Sequence, residues 1–322
     1  MSQVTRSITI LVGLLACSTA SASVLGGGLA LAAMPPTAYT GQASAATTTS
    51  VTVTGSVDPS NQETSYHFEF GPTTAYGAQT PTATVAAGNQ SIRVTTTITN
   101  LSAGATYHYR LVAVNPTGTV DGQDRVFTTK KIPLTFKLYT ASHHQVYGTP
   151  FSVIGELLGT GNANHPVVLQ ENPFPFLFGF KNVGAAVSTD AGGHFAFPMM
   201  GLTSNTQLRV STLDTPPVHS AVIVELLGVR VTLHVRRSGR PGWANFYGTV
   251  TPAQPGASVN IQLVRRHHSP RTLAATTLKG SGKSGSRFSL VARIRHAGLY
   301  RAHVQVLSGA QFSNSSSLIL IR

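Results

Sequence analysis

Between Leu101 and Gly118 the chain alternates in a way that leaves it few folds to choose from. Tyr107, Tyr109, Leu111 and Ala113 fall on one face of an extended strand, and His108, Arg110, Val112 and Val114 on the other. Just upstream, Gly104 permits a sharp corner and Leu101 is placed to plug a core. The Tyr107 hydroxyl can reach back to the corner's backbone, the tyrosine-corner device of β-sandwiches. Asn115 to Gly118 supplies turn chemistry, and Asp124-Arg-Val-Phe-Thr128 returns as a last strand.

Leu101, Gly104, Tyr107, Tyr109, Val112, Ala113, Asn115 and Gly118, followed by Phe127-Thr128, resemble the second half of a fibronectin type III domain. Val51-Thr-Val-Thr-Gly-Ser-Val-Asp58 and Thr64-Ser-Tyr-His-Phe-Glu-Phe-Gly-Pro72 read as its B and C strands, and the FGPTTAYG turn after strand C is similar to modules of secreted bacterial proteins. The resemblance covers residues 34–131 and implies a sandwich. It implies no single function, because such modules serve adhesion, spacing and the carriage of other domains. One position departs from the pattern: strand B lacks the aromatic core residue, leaving Val51, Val53 and Val57 to fill its place.

A chain of 322 residues exceeds one sandwich of about 100 residues and has room for three. Past Thr128-Thr-Lys-Lys-Ile-Pro133, which reads as a linker, two further units share an order of strands. Asn245 to Val250 answers Phe151 to Gly155, and Ala257 to Val264 answers Pro166 to Gln170. Arg287 to Val291 answers His194 to Phe197, and Gly298 to Val304 answers Gln207 to Val210. Both units close on a Ser-containing strand, His219-Ser-Ala-Val-Ile-Val224 and Ser316-Ser-Leu-Ile-Leu-Ile321. A duplicated Ig-like sandwich fits this order, similar to Ig-like repeats of secreted bacterial surface proteins. The expected architecture is all-β: tandem β-sandwiches, one fibronectin type III-like (34–131) and two Ig-like (132–228 and 229–322), preceded by an apolar leader (1–33).

The leader points to export. Arg6 precedes the short apolar run Ile8 to Ala16, and Ala20-Ser-Ala22 offers a cleavage site. Leu14-Leu-Ala-Cys17 also resembles a lipobox, which would make Cys17, the one cysteine of the chain, a lipidated residue. An uncleaved leader would anchor the chain in a membrane. Each outcome places the body at the cell surface or outside the cell.

Charge divides the body sharply. Residues 34–131 carry five basic and five acidic side chains, and residues 132–228 carry three and five. Residues 229–322 carry fourteen Lys plus Arg and no Asp or Glu, so the net +13 belongs to this third alone. Arg236, Arg237, Arg240, Arg265, Arg266, Arg271, Lys279 and Lys283 cluster at strand ends and loops, and Arg293, Arg295 and Arg301 alternate with apolar residues as if sharing a solvent face. An acid-free surface answers wall polyphosphates, acidic glycans, anionic lipid heads or nucleic acid, though base-specific reading has no support, Trp243 being the only tryptophan. A merely basic, solvated surface is the plain alternative.

Motifs for chemistry are scarce. Gly280-Ser-Gly-Lys-Ser284 has the tail of a phosphate loop, but Thr277 stands where the leading glycine is needed and Arg287-Phe-Ser-Leu290 continues as a strand. His143-His144 and His267-His268 are adjacent pairs, which a strand points to opposite faces, so they are expected as loop histidines and not as zinc ligands. Asp58, Asp121, Asp190 and Asp214 sit in turn sequences, and no Gly-x-Ser-x-Gly elbow occurs. No enzyme, cofactor or metal site is expected. An enzyme assembled in space would need a cleft bringing a carboxylate such as Asp190 or Glu171 to a histidine.

The remaining feature is Asn172-Pro-Phe-Pro-Phe-Leu-Phe-Gly-Phe180. Its prolines bar a central strand, and Phe174, Phe176, Phe178 and Phe180 either contact a glycan, protein or membrane or fold back to close a sandwich edge or an interdomain joint. The expectation for the whole is a non-enzymatic, exported adhesion or spacer protein whose basic third contacts an anionic cell-wall or extracellular polymer. The alternative is a glycan-binding accessory module of a polysaccharide-degrading system, acting through aromatics such as Phe174, Phe176 and Tyr247.

Overall fold

The structure, a computed structural model, describes residues 33–140, 144–280 and 285–322. The leader with Cys17, His143 and Lys283 lie outside the described residues. Every regular element among the described residues is a strand, and the fold is a series of β-sandwiches of the fibronectin III/Ig-like kind.

The first strands are β1 (Thr37–Ser44), β2 (Val51–Asp58), β3 (Thr64–Gly71), β4 (Ala78–Gln79), β5 (Ala83–Val85), β6 (Ile92–Ile98), β7 (Thr106–Asn115), β8 (Gly118–Asp121) and β9 (Arg125–Thr128). They form a β1-β2-β6 sheet and a sheet in which β3 and β7 are central, with β4 and β5 beside β3 and β8 and β9 beside β7. Next come β10 (Thr135–Leu138), β11 (His144–Val146), β12 (Phe151–Leu158), β13 (Pro166–Pro173), β14 (Lys181–Ser188), β15 (His194–Met199), β16 (Thr206–Thr212) and β17 (Ile223–Gly228). Their sheets run β10-β12-β15 and β11-β17-β16-β13-β14. The last group is β18 (Arg230–Val231), β19 (His234–Arg237), β20 (Trp243–Thr251), β21 (Ser258–Arg265), β22 (His268–Thr277), β23 (Lys279–Gly280), β24 (Ser286–Arg293), β25 (Gly298–Gln305), β26 (Asn314–Ser315) and β27 (Ile319–Ile321). One sheet is β18-β20-β24-β23 with β19 also on β20; the other is β22-β21-β25-β26 with β27 on β25.

By contacts the described residues divide into two compact units, one of residues 33–42, 54–96 and 108–125, the other of the described residues within 43–53, 97–107 and 126–322. In the first, β3 and β7 pair antiparallel from Ser65↔Val114 to Gly71↔His108. Phe68, Tyr109, Leu111 and Ala113 are buried along them, as alternation requires. Val112 is buried too, on the face expected to be polar.

The second unit holds the corner. Gly104 adopts φ +66°, which a side chain would strain, and Leu101 is buried. The Tyr107 hydroxyl accepts the Ser102 N–H at 3.0 Å, and its ring stacks on Phe127. The valines of strand B take the burial that an aromatic would have had, with Val51 and Val53 fully inaccessible here and Val57 likewise in the first unit. Residues 129–132 are not a loose linker. The Thr129 hydroxyl donates to the Ser102 carbonyl at 2.6 Å and Lys130 N–H to the Thr47 carbonyl at 2.8 Å. Ile132 and Thr160 then tie the start of the next sandwich to it, Ile132 N–H bonding the Thr160 hydroxyl and Thr160 N–H the Ile132 carbonyl.

The two following sandwiches repeat one another in hydrogen bonds as well as in strand order. Gln170 and Arg209 face each other across β13 and β16 and bond through Nε at 2.8 Å; Gln262 and Arg301 do the same across β21 and β25 at 3.0 Å. The Ser220 hydroxyl accepts the Val210 N–H, and the Ser316 hydroxyl accepts the Ala302 N–H, so the two serines are matched latches, each lying just before a strand (Ile223–Gly228 or Ile319–Ile321) and not inside the strand expected for it. Their cores are separate: Val153, Leu157, Val167, Leu169, Phe195, Leu208 and Val210 in one, Phe246, Val250, Val259, Ile261, Phe288, Tyr300 and Val304 in the other. Tyr300 donates its buried hydroxyl to the His296 carbonyl at 2.7 Å, a second corner tyrosine that the alternation pattern did not reveal.

Asn205 joins these sandwiches. Its Oδ1 accepts the Leu227 N–H at 2.7 Å, its Nδ2 donates to the Gly309 carbonyl at 2.8 Å, and its own N–H donates to Ala310. Phe312 bonds Leu227 beside it, and the His144 ring meets the Phe312 ring edge-on, so His144 serves in strand β11 and not in a loop. Asn205→Ala leaves buried backbone groups without their partners and is expected to cost about 2 kcal/mol or more. Tyr107→Phe leaves only the N–H of the exposed Ser102 to water and is expected to cost about 1 kcal/mol or less. Urea unfolding of both variants checks the order.

Candidate anion-binding site

Several charges of the first unit are paired with one another. The Arg110 guanidinium bonds Glu69 at 2.7 Å and Asp121 at 2.6 Å, and lies over the Tyr76 ring. Asp124 accepts from the Tyr76 hydroxyl and pairs with His108, both at 2.8 Å. Burial, and then the hydrogen bond to Asp124, push the Tyr76 phenol up to about 12. Since the neutral phenol is favoured by folding, this stabilisation is complete below the ordinary tyrosine value near 10 and is lost as pH rises toward 12. Tyr76→Phe is therefore expected to flatten the loss of stability between those pH values, checked by denaturant midpoints across the alkaline range.

Among the described residues, no ion pair compensates the cations of 229–322. The named ion pairs, Arg110 with Glu69 and Asp121, and His67, His108, His165 and His194 with Glu69, Asp124, Asp214 and Asp190, involve none of these cations. Arg236, Arg237, Arg240, Arg265, Arg266, Arg271, Lys279, Arg287, Arg293 and Arg295 are all exposed. Arg301 differs. It lies on β25 in the other sheet from Arg293, half-buried against Gln262, so the shared face expected for Arg293, Arg295 and Arg301 does not form.

The β19–β20 hairpin arranges the densest group. Gly239 and Gly242 both take φ +76° in the turn, and Trp243 N–H closes it on the Arg240 carbonyl. Arg236, Arg237 and Arg240 thereby line an open concavity of about 830 Å³, with Arg295, His296, Arg322 and the half-buried Trp243. Trp243, Arg295 and His296 also line a neighbouring hollow of about 420 Å³ that takes in Arg271 and Arg293. A third, of about 490 Å³, is lined by Arg236, Asn245, Tyr247, Lys279, Arg287 and Ser289 among others. Arg265 and Arg266 stand instead at the β21–β22 hairpin tip, where His267 takes φ +60° and Arg265 faces His268; they line none of the three. Of the anion-contacting residues expected from sequence, Arg236, Arg237, Arg240, Arg271 and Lys279 come into linked hollows. Arg287, Arg293 and Arg295 belong with them.

The phenylalanine segment separates into packed and exposed parts. The Phe174 ring lies against Gly309 in the joint and meets Phe176 edge-on at 5.8 Å. Phe180 is covered by the Arg209 guanidinium at 4.2 Å. Leu177 and Phe178, at the tip between β13 and β14, are 77% and 72% exposed. Phe174 and Phe176 thus contact each other and the joint, yet Phe174 is still 40% exposed, as much as Tyr247 at 39% on its sheet.

A scan against known protein families finds no match, and a search among curated proteins finds none. Solved structures give distant likenesses. Chicken CNTN1 domains FN1–FN3 are 15% identical over 89% of this chain and 99% of that one, with a TM-score of 0.27. The fibronectin(III)-like modules of Clostridium thermocellum CbhA are 12% identical over 58% and 91%, at 0.23. Titin domains A168–A170 are 11% identical over 89% and 99%, at 0.32. Likenesses this remote carry no functional argument, and the fold stands on the sheets and cores described above.

Proposed function

We propose that the chain is a non-enzymatic, extracellular adhesion or spacer protein in which residues 34–131 and 132–228 act as sandwich modules and residues 229–322 hold an anionic polymer by charge. The observation that carries this reading is the set of linked, Arg-lined hollows in a stretch with no carboxylate side chain. Exposed cations with no carboxylate partner among the described residues leave their field to an external anion. The export signal read at residues 6–22 supports an extracellular setting.

A catalytic reading finds less support. Asp190 does approach a histidine, His194 at 3.2 Å, but its Oδ1 already accepts the Gly192 and His194 backbone N–H groups of a tight turn. Glu171 stands opposite Lys181 on the β13–β14 ladder. The His108–Asp124 and His165–Asp214 pairs line none of the three hollows.

Binding of the full chain to isolated cell wall or to inorganic polyphosphate is expected to weaken steeply with salt. Replacing Arg236, Arg237 and Arg240 together by Gln should reduce the slope of log affinity against log salt by roughly two to three. Retention indifferent to salt and to these substitutions would sink the proposal.

A further inference from the structure

We propose that the sheet face around Tyr247 is a subsite for the sugar ring of an acidic polysaccharide, a chain of uronate-type units. This rests on the reading of residues 229–322 as a polyanion-binding surface and narrows it to one polymer class.

The ladder places the relevant groups without help from loops. Strand β20 turns Ala244, Phe246, Gly248 and Val250 into the core and Asn245, Tyr247 and Thr249 outward. Across the outer face, one rung runs Arg236, Asn245, Val291, the next His234, Tyr247, Ser289, and the third Thr249, Arg287, Lys279. Rungs on one face of a strand are about 7 Å apart, so cations stand at both ends of a patch about 14 Å long with an aromatic ring at its middle. His234 stacks on Tyr247 with centroids 5.4 Å apart and planes 29° from parallel. It does not line the hollow of about 490 Å³, which runs from Arg236 past Asn245 and Tyr247 to Ser289, Arg287 and Lys279. His234 thus backs the ring, and the Arg236 guanidinium, which lines the same hollow, also lies over the ring at 5.9 Å from its centroid, so the tyrosine meets the hollow beside a cation.

Beside the ring, Ser289 donates its hydroxyl to the Asn245 side-chain oxygen at 3.0 Å, a neutral pair able to exchange hydrogen bonds with sugar hydroxyls. A uronate chain matches this order of groups. Its C–H face packs on the tyrosine, its hydroxyls meet Asn245 and Ser289, and its carboxylates reach Arg236 at one end and Arg287 with Lys279 at the other. A polyphosphate has neither hydroxyls nor a C–H face and so gains nothing from the neutral middle. A single-stranded nucleic acid draws its stacking from successive rings, and here one face of the single ring is already taken.

The test uses the full chain with three probes of comparable length: polygalacturonate, inorganic polyphosphate and a thymidine oligonucleotide. Tyr247→Ala is expected to weaken polygalacturonate binding about tenfold and to leave polyphosphate binding within about twofold, while Tyr247→Phe restores the first. The doubly neutral Lys279→Gln/Arg287→Gln variant should weaken both. Equal effects of Tyr247→Ala on the two polymers, or none on either, overturn the subsite while leaving the electrostatic reading standing. A Tyr247-dependent preference for the oligonucleotide overturns it in favour of base stacking. Failure of all three probes to bind defeats the electrostatic reading itself. Thermal unfolding of each variant verifies that the sandwich is intact.

Discussion

The two-residue repeat of the extended chain is the constraint from which the rest follows, because it assigns the two faces of every strand to different tasks. Strand β20 shows this most plainly. Phe246 is fully buried and packs against Tyr300, while Tyr247, the next residue, stands on the outer face among cations. Gly248 then returns to the core side, where a side chain would collide with the Thr232 carbonyl and the Phe288 ring. Core and candidate site are two sides of one strand, so the packing that holds Phe246, at roughly 1.5–3 kcal/mol for such a buried side chain, also sets the rungs of the outer face. A slip of one residue would bury the tyrosine and expose the phenylalanine.

Within that frame, the same cross-strand rung recurs with a different charge. Glu69 faces Arg110 in the first unit, and Gln170 faces Arg209 and Gln262 faces Arg301 in the second. A glutamine keeps the hydrogen bond and removes the neutralising charge. Arg301 illustrates the result: its geometry is satisfied while its positive charge still contributes to the field of residues 229–322. Burial, and then that arginine, pushes the His303 imidazole down, consistent with a neutral ring bonded to the Ser315 hydroxyl.

Much of the fold was legible in particular residues. Leu101, Gly104 and Tyr107 announced the corner, because this device acts over a few residues, whereas the closing strands expected around Ser220 and Ser316 begin only after them, at Ile223 and Ile319. Other elements escaped notice. Strand β14 has the small residues Gly184 and Ala185 where alternation gives no signal, and β11 is only three residues long. The apparent linker at 129–132 is fastened by side-chain hydroxyls and backbone groups from distant positions, which no local pattern records.

Sequence by itself determined the all-β class, the tyrosine corner, the duplicated order of strands and the confinement of the positive charge to residues 229–322. Those are properties of periodicity and composition, which exist along the chain before it folds. Tertiary structure decided which cations share a hollow, that Arg301 lies on a different sheet from Arg293, that Phe174 is drawn into a joint while Phe178 is not, and that Tyr247 stands between Arg236 and Arg287. Neighbours across a ladder come from strands far apart in sequence, and their register is settled only when both faces of the sheet have been packed.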